Sequence, residues 1–291
     1  MTTFKKTHSV VAFIDILGFK NMIQESTKNE HEVYSNLSNS IKYAHDYTIN
    51  TLNLTFELLT DLFNSKERLS ERLKVKQFSD NIYFSFDYEI DEPYDLYFGI
   101  YIIITISSIY QRIMMNKGYF VRGGIAHGLN LVDDHLIFSE ALIKAVEIEK
   151  KATYPRITLH KETVALFTDT INNPFREITS DLLIEDWAKH VFLNPFFNVE
   201  EQVKRQNRQI TDSDFKKLMK KIAKNIIDLK AEEHSNLFND TTFRATAHEY
   251  IKDNLRNNKL KNQEILEKYI WLENLLNWVE KKRSNIKFSY K

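Results

Sequence analysis

Apolar residues run without alternation through VVAFIDILGF (10–19), interrupted by a single acid, Asp15. Such a run predicts a central strand over 9–15, covered on both faces. Further on, Val33, Leu37, Ile41, Ala44 and Tyr47 or Thr48 recur at helical spacing, and 30–65 holds no Gly or Pro, which predicts one long helix or two. LKVKQFSDNIYFSFD (73–87) alternates on either side of Asp80-Asn81, a pair that accepts turn dihedrals. It predicts a β-hairpin with Asp80 at its tip.

Residues 93–116 predict an apolar helix ended by Asn116-Lys117-Gly118. YFVRGGIAHG (119–128) predicts a glycine-containing strand, with HLIF (135–138) as its partner. Ser139 is placed to cap the helix EALIKAVEIEKKA, Tyr154-Pro155-Arg156-Ile157 starts a short strand, and KETVALF forms a short helix. The stretch 171–200 predicts loop or hairpin. Beyond it only helical patterns follow, at 213–230, 241–256 and 262–283, which places a domain boundary near residue 198. The order β-α-β-β-α-β followed by helices predicts an α+β fold: a ferredoxin-like, split βαβ core over 1–198 and a helical extension over 199–291.

Composition narrows the partners. Forty Lys and Arg balance forty Asp and Glu among 291 residues, so no overall field draws the chain to nucleic acid or to an anionic membrane. No cysteine occurs, which excludes disulfides, thiolate nucleophiles and Cys-bound zinc and fits a cytosolic protein. The N-terminus lacks a cleavage site of the signal-peptide kind. The best membrane candidate, LYFGIYIIITISSIYQ (96–111), is shorter than the roughly 20 residues a spanning helix needs, which predicts a core helix and no stable membrane insertion. The basic helix FKKLMKKIAKNIIDL (215–229) predicts a solvated lysine face on a packed helix. Trp271, Leu272, Leu275, Leu276 and Val279 predict a core or dimer stripe.

The chemistry gathers around Asp15. In a split βαβ core the end of the first strand and the tip of the hairpin lie side by side, so Asp15 and Asp80 are expected to meet. Two adjacent carboxylates repel unless a proton or cation lies between them, and oxygen-only ligands suit Mg²⁺ or Mn²⁺, held by Asp15, Asp80 and the Ile16 carbonyl. Gly18, just after Asp15, predicts a strand-to-helix turn whose amides are able to cradle phosphate. The plainer alternative has Asp15 capping the next helix and Asp80 making only the hairpin turn.

FIDILGF, KQFSDNIYFSF and RGGIAHG, in this order and spacing, resemble the class III nucleotidyl cyclase domain. The matching positions are Asp15, Ile16, Gly18, Phe19, Lys76, Asp80, Arg122, Gly124, Ile125, Gly128 and Glu149. FSEALIKAVEIEKKATYPRI and EKYIWLENLLNW further resemble the bacterial antiphage cyclases of Pycsar systems, which make cyclic CMP or cyclic UMP. The resemblance covers 10–160 well and 262–280 loosely. It implies two Mg²⁺ or Mn²⁺ ions on Asp15, Ile16 and Asp80, and amides of Gly18-Phe19-Lys20 on the phosphates of a nucleoside triphosphate. It also implies a homodimer with sites at the interface and a separate effector that binds the cyclic product. Lys76 falls where family members place a base-reading residue, and is equally compatible with an exposed hairpin lysine. The chain departs from the class III pattern at Ser79, where glycine is usual, and at Ile143 and Glu147, where the transition-state Asn and Arg stand. Another cation is then needed for the triphosphate, with Arg122, Lys144, Arg156 and Lys20 as candidates, or the chain is an inactive pseudo-cyclase that binds nucleotide. A purine cyclase is the remaining alternative. His127 predicts a structural hydrogen-bonder.

Overall fold

The computed structural model describes residues 7–26, 30–63, 69–133, 136–168, 173, 175, 180–197, 240–258 and 263–281. The first strand, β1 (Thr7–Ile16), leads through a tight turn into α1 (Phe19–Ser26) and then α2 (Glu30–Phe63), a single helix across the whole stretch where one or two were expected. A 3₁₀ turn precedes the hairpin of β2 (Leu73–Phe78) and β3 (Asn81–Tyr88). Next come α3 (Pro93–Asn116), β4 (Val121–Val132), β5 (Ile137–Ser139), α4 (Glu140–Lys151), β6 (Ile157–Leu159) and α5 (Lys161–Phe167). Two three-residue strands follow, β7 (Leu183–Glu185) and β8 (Val191–Leu193), and then the helices α6 (Asp240–Asn258) and α7 (Gln263–Glu280). The expected basic helix at 213–230 lies outside the described residues.

The strands form one sheet in the order β2-β3-β1-β4-β6-β8-β7, with β5 paired to β4. β1 is antiparallel to both of its neighbours, β3 and β4, so the first four strands have the split βαβ, ferredoxin-like arrangement. Alternation along β1 sorts its side chains between two layers. Val10, Ala12, Ile14 and Ile16 are buried in the main core with α2 and α3, whereas Val11 joins Tyr83, Ala126, Ala141 and Ala145 under α4. Asp15 shares the second parity and therefore lies on the α4 face.

Helix α3 is long and apolar enough to cross a membrane, yet 83% of its most apolar window is buried inside the molecule, where it forms the centre of the main core. At its end the Lys117 and Gly118 amides close onto carbonyls of the last turn, and Gly118 takes φ +83°. A further cluster joins Met115, Phe120, Ile184, Phe192 and Phe196 to Phe243, Ala247, Ile251, Trp271, Leu272, Leu275 and Leu276. The C-terminal apolar stripe is thus core within one chain. Arg112 of α3 reaches into the same region, its guanidinium 4.1 Å from the Phe243 ring centre and donating to the Phe197 carbonyl at 2.9 Å.

Candidate active site

Three local features build the site. The first is the exit from β1, where the Leu17 amide donates to the Phe120 carbonyl and Gly18 adopts φ +79°, a conformation that a Cβ disfavours. The Gly18 carbonyl accepts from the Met22 amide at 3.0 Å and so opens α1, leaving Phe19 and Lys20 in the first turn, where backbone N–H groups have no partner within the helix. Lys20 is exposed and Phe19 half-buried.

The second feature is the hairpin tip. The two turn residues are Ser79 and Asp80, one position earlier than the expected Asp80-Asn81, because Phe78 pairs with Asn81 while Val75 meets Phe84 and Leu73 meets Phe86. Ser79 has φ +53°, so the serine in place of glycine occupies a conformation for which glycine is favoured. The Gln77 side chain braces it by donating to the Ser79 carbonyl at 3.1 Å. The Asp80 carbonyl accepts from the Ile16 backbone amide at 3.2 Å, which fastens the tip to the end of β1, and the Asn81 side-chain Nδ2 donates to Asp80 Oδ1 at 3.0 Å.

The third feature is the packing of α4 on β4. A Cβ at Gly124 would overlap the Ala145 carbonyl oxygen, so the glycine lets the helix backbone lie directly on the strand. One step away on each element, Arg122 and Glu149 then face one another. Arg122 Nε lies 2.6 Å from Glu149 Oε1 and donates to Asp15 Oδ2 at 3.1 Å.

The structure therefore brings Asp15 and Asp80 together, since Asp15 pairs with Asn81 and the next residue, Ile16, bonds to the Asp80 carbonyl, with Arg122 and the buried Glu149 beside them. Burial raises Asp15 to about 6, helped by the Asp80 and Glu149 carboxylates and opposed by Arg122. Burial likewise raises Glu149, against the pull of Arg122. Three carboxyls stand against one guanidinium, which leaves negative charge in surplus where Asp15 and Asp80 meet. This donor set fits a hard divalent cation. Among the described residues no cluster of three or more His, Cys, Asp or Glu is arranged to hold a metal.

Ile16 is buried in the main core and contributes its amide to the Asp80 turn. Lys76 lies on β2 opposite Tyr83, half-buried, on the same face of the sheet as Asp15. Arg122, one of the candidate cations for a triphosphate, lies between two acids, because α4 is close enough to bring Glu149 onto it. Lys144 is paired with Glu140 and Glu162, each at 2.9 Å, and the buried Arg156 with Asp186 at 2.8 Å. Of the four candidate cations, Lys20 alone has no acidic partner among the described residues. Ile143 and Glu147 are both exposed on α4. His127 meets Thr163 Oγ1 at 3.0 Å, and burial lowers its pKa, as suits a structural role. Glu149 was noted only as a motif position. The signal for its role was its place in the stripe Ala141, Ala145, Glu149, which is the buried face of α4.

No family model and no curated protein matches the chain. Among solved structures it is similar to the adenylyl cyclase CyaB from P. aeruginosa, with 17% identity and a TM-score of 0.36 over 57% of this chain and 83% of that one. It is also similar to the guanylyl cyclase Cya2, with 11% identity and a TM-score of 0.28 over 65% of this chain and 92% of the other.

Proposed function

We propose that this chain is a metal-dependent pyrimidine nucleotidyl cyclase that converts UTP or CTP to a 3′,5′-cyclic monophosphate and pyrophosphate, as a second messenger in antiphage defence. The observation that carries the reading is the meeting of Asp15 and Asp80 at the end of the central strand, in a cluster of surplus negative charge, within the motif frame FIDILGF, KQFSDNIYFSF and RGGIAHG.

In this reading Asp15, Asp80 and the Ile16 carbonyl hold two Mg²⁺ or Mn²⁺ ions. Bound there, the ions supply activation of the 3′-hydroxyl and neutralisation of the triphosphate. The 3′-hydroxyl gives its proton to water, its oxygen attacks the α-phosphorus, a new P–O bond forms, and the bond to the pyrophosphate leaving group breaks. Arg122 and Glu149 act as positioning residues: the guanidinium fixes Asp15 Oδ2, and Glu149 fixes the guanidinium. The amides of Gly18, Phe19 and Lys20 take the phosphates, and the Lys20 ammonium supplies the charge that Ile143 and Glu147 do not. Lys76 reads the base. The active form is a homodimer with sites at the interface, and the product goes to a separate effector protein.

Incubation of the purified chain with Mn²⁺ and each of the four ribonucleoside triphosphates, followed by mass identification of products, tests the reading. Cyclic UMP or cyclic CMP with equimolar pyrophosphate is expected, and Asp15→Ala and Asp80→Ala should abolish both products while melting as cooperatively as the parent. No pyrophosphate from any triphosphate, even with phage-infected lysate added, overturns it. The side chains of Ile143, 61% exposed, and Glu147 favour a second reading, a nucleotide-binding pseudo-cyclase, which unchanged defence in the two aspartate variants would select.

A further inference from the structure

A cavity of about 510 Å³ opens between α1, α2 and the tip of the β2–β3 hairpin. Its size falls within the roughly 300 to 1,000 Å³ of small-molecule sites. It lies on the other face of the sheet from the carboxylates. Gln77, which lines it, has the strand parity of Leu73 and Val75, whose side chains pack against the main core, whereas Asp15, Arg122 and Glu149 meet on the α4 face. We infer that this cavity is a second ligand site, distinct from the nucleotide site, for a small organic anion with an apolar or aromatic body.

The lining dictates that chemistry. Phe19, Leu37 and Ile41 offer an apolar wall, Gln77 and Ser79 offer hydrogen-bonding groups, and Lys42 is the one permanently charged lining residue, with no Asp or Glu among them. An apolar body gains by leaving water against that wall, and an acidic head gains at the Lys42 ammonium. A cation or a sugar satisfies neither.

The cavity is also joined to the chemistry by covalent adjacency. Phe19 sits between Gly18 and Lys20, and Ser79 immediately precedes Asp80. Gln77, a lining residue, is also the one whose side-chain amide braces Ser79 at positive φ. An occupant packed under Gln77 and Ser79 adds contacts to the braced turn, so it stabilises the arrangement that presents Asp80. A ligand here consequently tightens divalent-ion binding across the sheet. The coupling rests on the cyclase reading; the binding does not.

The probe is 8-anilinonaphthalene-1-sulfonate, an aromatic anion, titrated by fluorescence into the full chain and into Ser38→Trp, which fills the cavity from an exposed lining position, and Lys42→Glu. One saturable site is expected, at least tenfold weaker in each variant and unchanged in Ile143→Ser, which removes an exposed apolar group elsewhere. Absence of saturable binding, binding indifferent to both variants, or loss in Ile143→Ser overturns the site. Saturating probe should lower the Mn²⁺ dissociation constant of the parent at least threefold, with no such shift in Ser38→Trp. An unshifted constant in the parent overturns the coupling. Asp15→Ala should lose Mn²⁺ and keep the probe, so a chain without cyclase activity still reports on the cavity.

Discussion

Asp15 is held above its ordinary value of 3.8, at about 6, because burial and two neighbouring carboxylates outweigh one guanidinium. Below 3.8 both folded and unfolded chains carry the proton. Between 3.8 and about 6 the folded chain keeps a proton that the unfolded chain has released, so metal-free stability falls as pH rises through that window, by at most about 3 kcal/mol. A divalent ion competes with that proton, so Mn²⁺ should add little to the melting temperature at pH 5 and markedly more at pH 7.5. Asp15→Asn should melt above the parent at pH 7.5 without metal and gain nothing from Mn²⁺; a parent melting temperature that is flat from pH 4 to 7 would refute the assignment. Lys20 carries a second prediction. It stands exposed in the first turn of α1 while Arg122, Lys144 and Arg156 are each engaged by acids. Lys20→Ala should cost about 10² to 10³ in turnover, the usual scale for losing a transition-state charge contact, with an unchanged unfolding midpoint. Lys144→Ala should stay within about threefold of the parent, and the reverse ranking would move the role to Lys144.

At the scale of elements, helical period and caps were readable because each depends on residues close in sequence. Ser139 accepts from the Leu142 amide at 2.9 Å as its position before α4 suggests, and α3 ends at the Lys-Gly pair. The hairpin was legible but its turn lay one residue early, since the pairing of Val75 with Phe84 and the hook from Ile16 to Asp80, not turn propensity, set the register. The strands β7 and β8 form a hairpin within 171–200, where loop or hairpin was expected, but their bounds were not legible, because three residues are too few to show alternation. Nor was the pairing of Arg122 with Glu149, which depends on how closely a helix approaches a strand. Gly124 fixes that approach, and the ladder of Gly124 over Ala145 and Arg122 over Glu149 follows from it. Gly124→Ala should therefore push α4 outward, cost about 1 to 3 kcal/mol as overpacking does, and weaken Mn²⁺ binding by loosening Arg122 from Asp15. Urea unfolding with and without Mn²⁺ measures both, and a variant as stable as the parent would show that α4 has slack to move.

For the whole molecule, the question is why helices more than 220 residues away in sequence from Asp15 belong to the same chain. A boundary near residue 198 divides the sequence pattern, but the cluster around Trp271 runs across it, joining Phe120 and Phe192 to Phe243 and Leu275. Trp271 is 1% exposed, stacked on Tyr154 with ring centres 5.3 Å apart and planes 4° apart, and 5.7 Å from the Phe192 ring. Leu17 packs on this same cluster, and its amide is bonded to the Phe120 carbonyl, so the turn between Asp15 and Gly18 is joined to the cluster that the C-terminal helices complete. Asp15 is thus steadied from two sides, by α4 through Arg122 and by this cluster through Leu17. Trp271→Ala should lower unfolding stability by about 3 to 5 kcal/mol, as expected for removing a buried aromatic, and should weaken Mn²⁺ binding in the fraction that remains folded, because Leu17 loses its support. Calorimetric titration of Mn²⁺ at a temperature well below the variant's midpoint separates the two effects. A large stability loss with an unaltered Mn²⁺ constant would mean that the helices hold the fold without reaching the site.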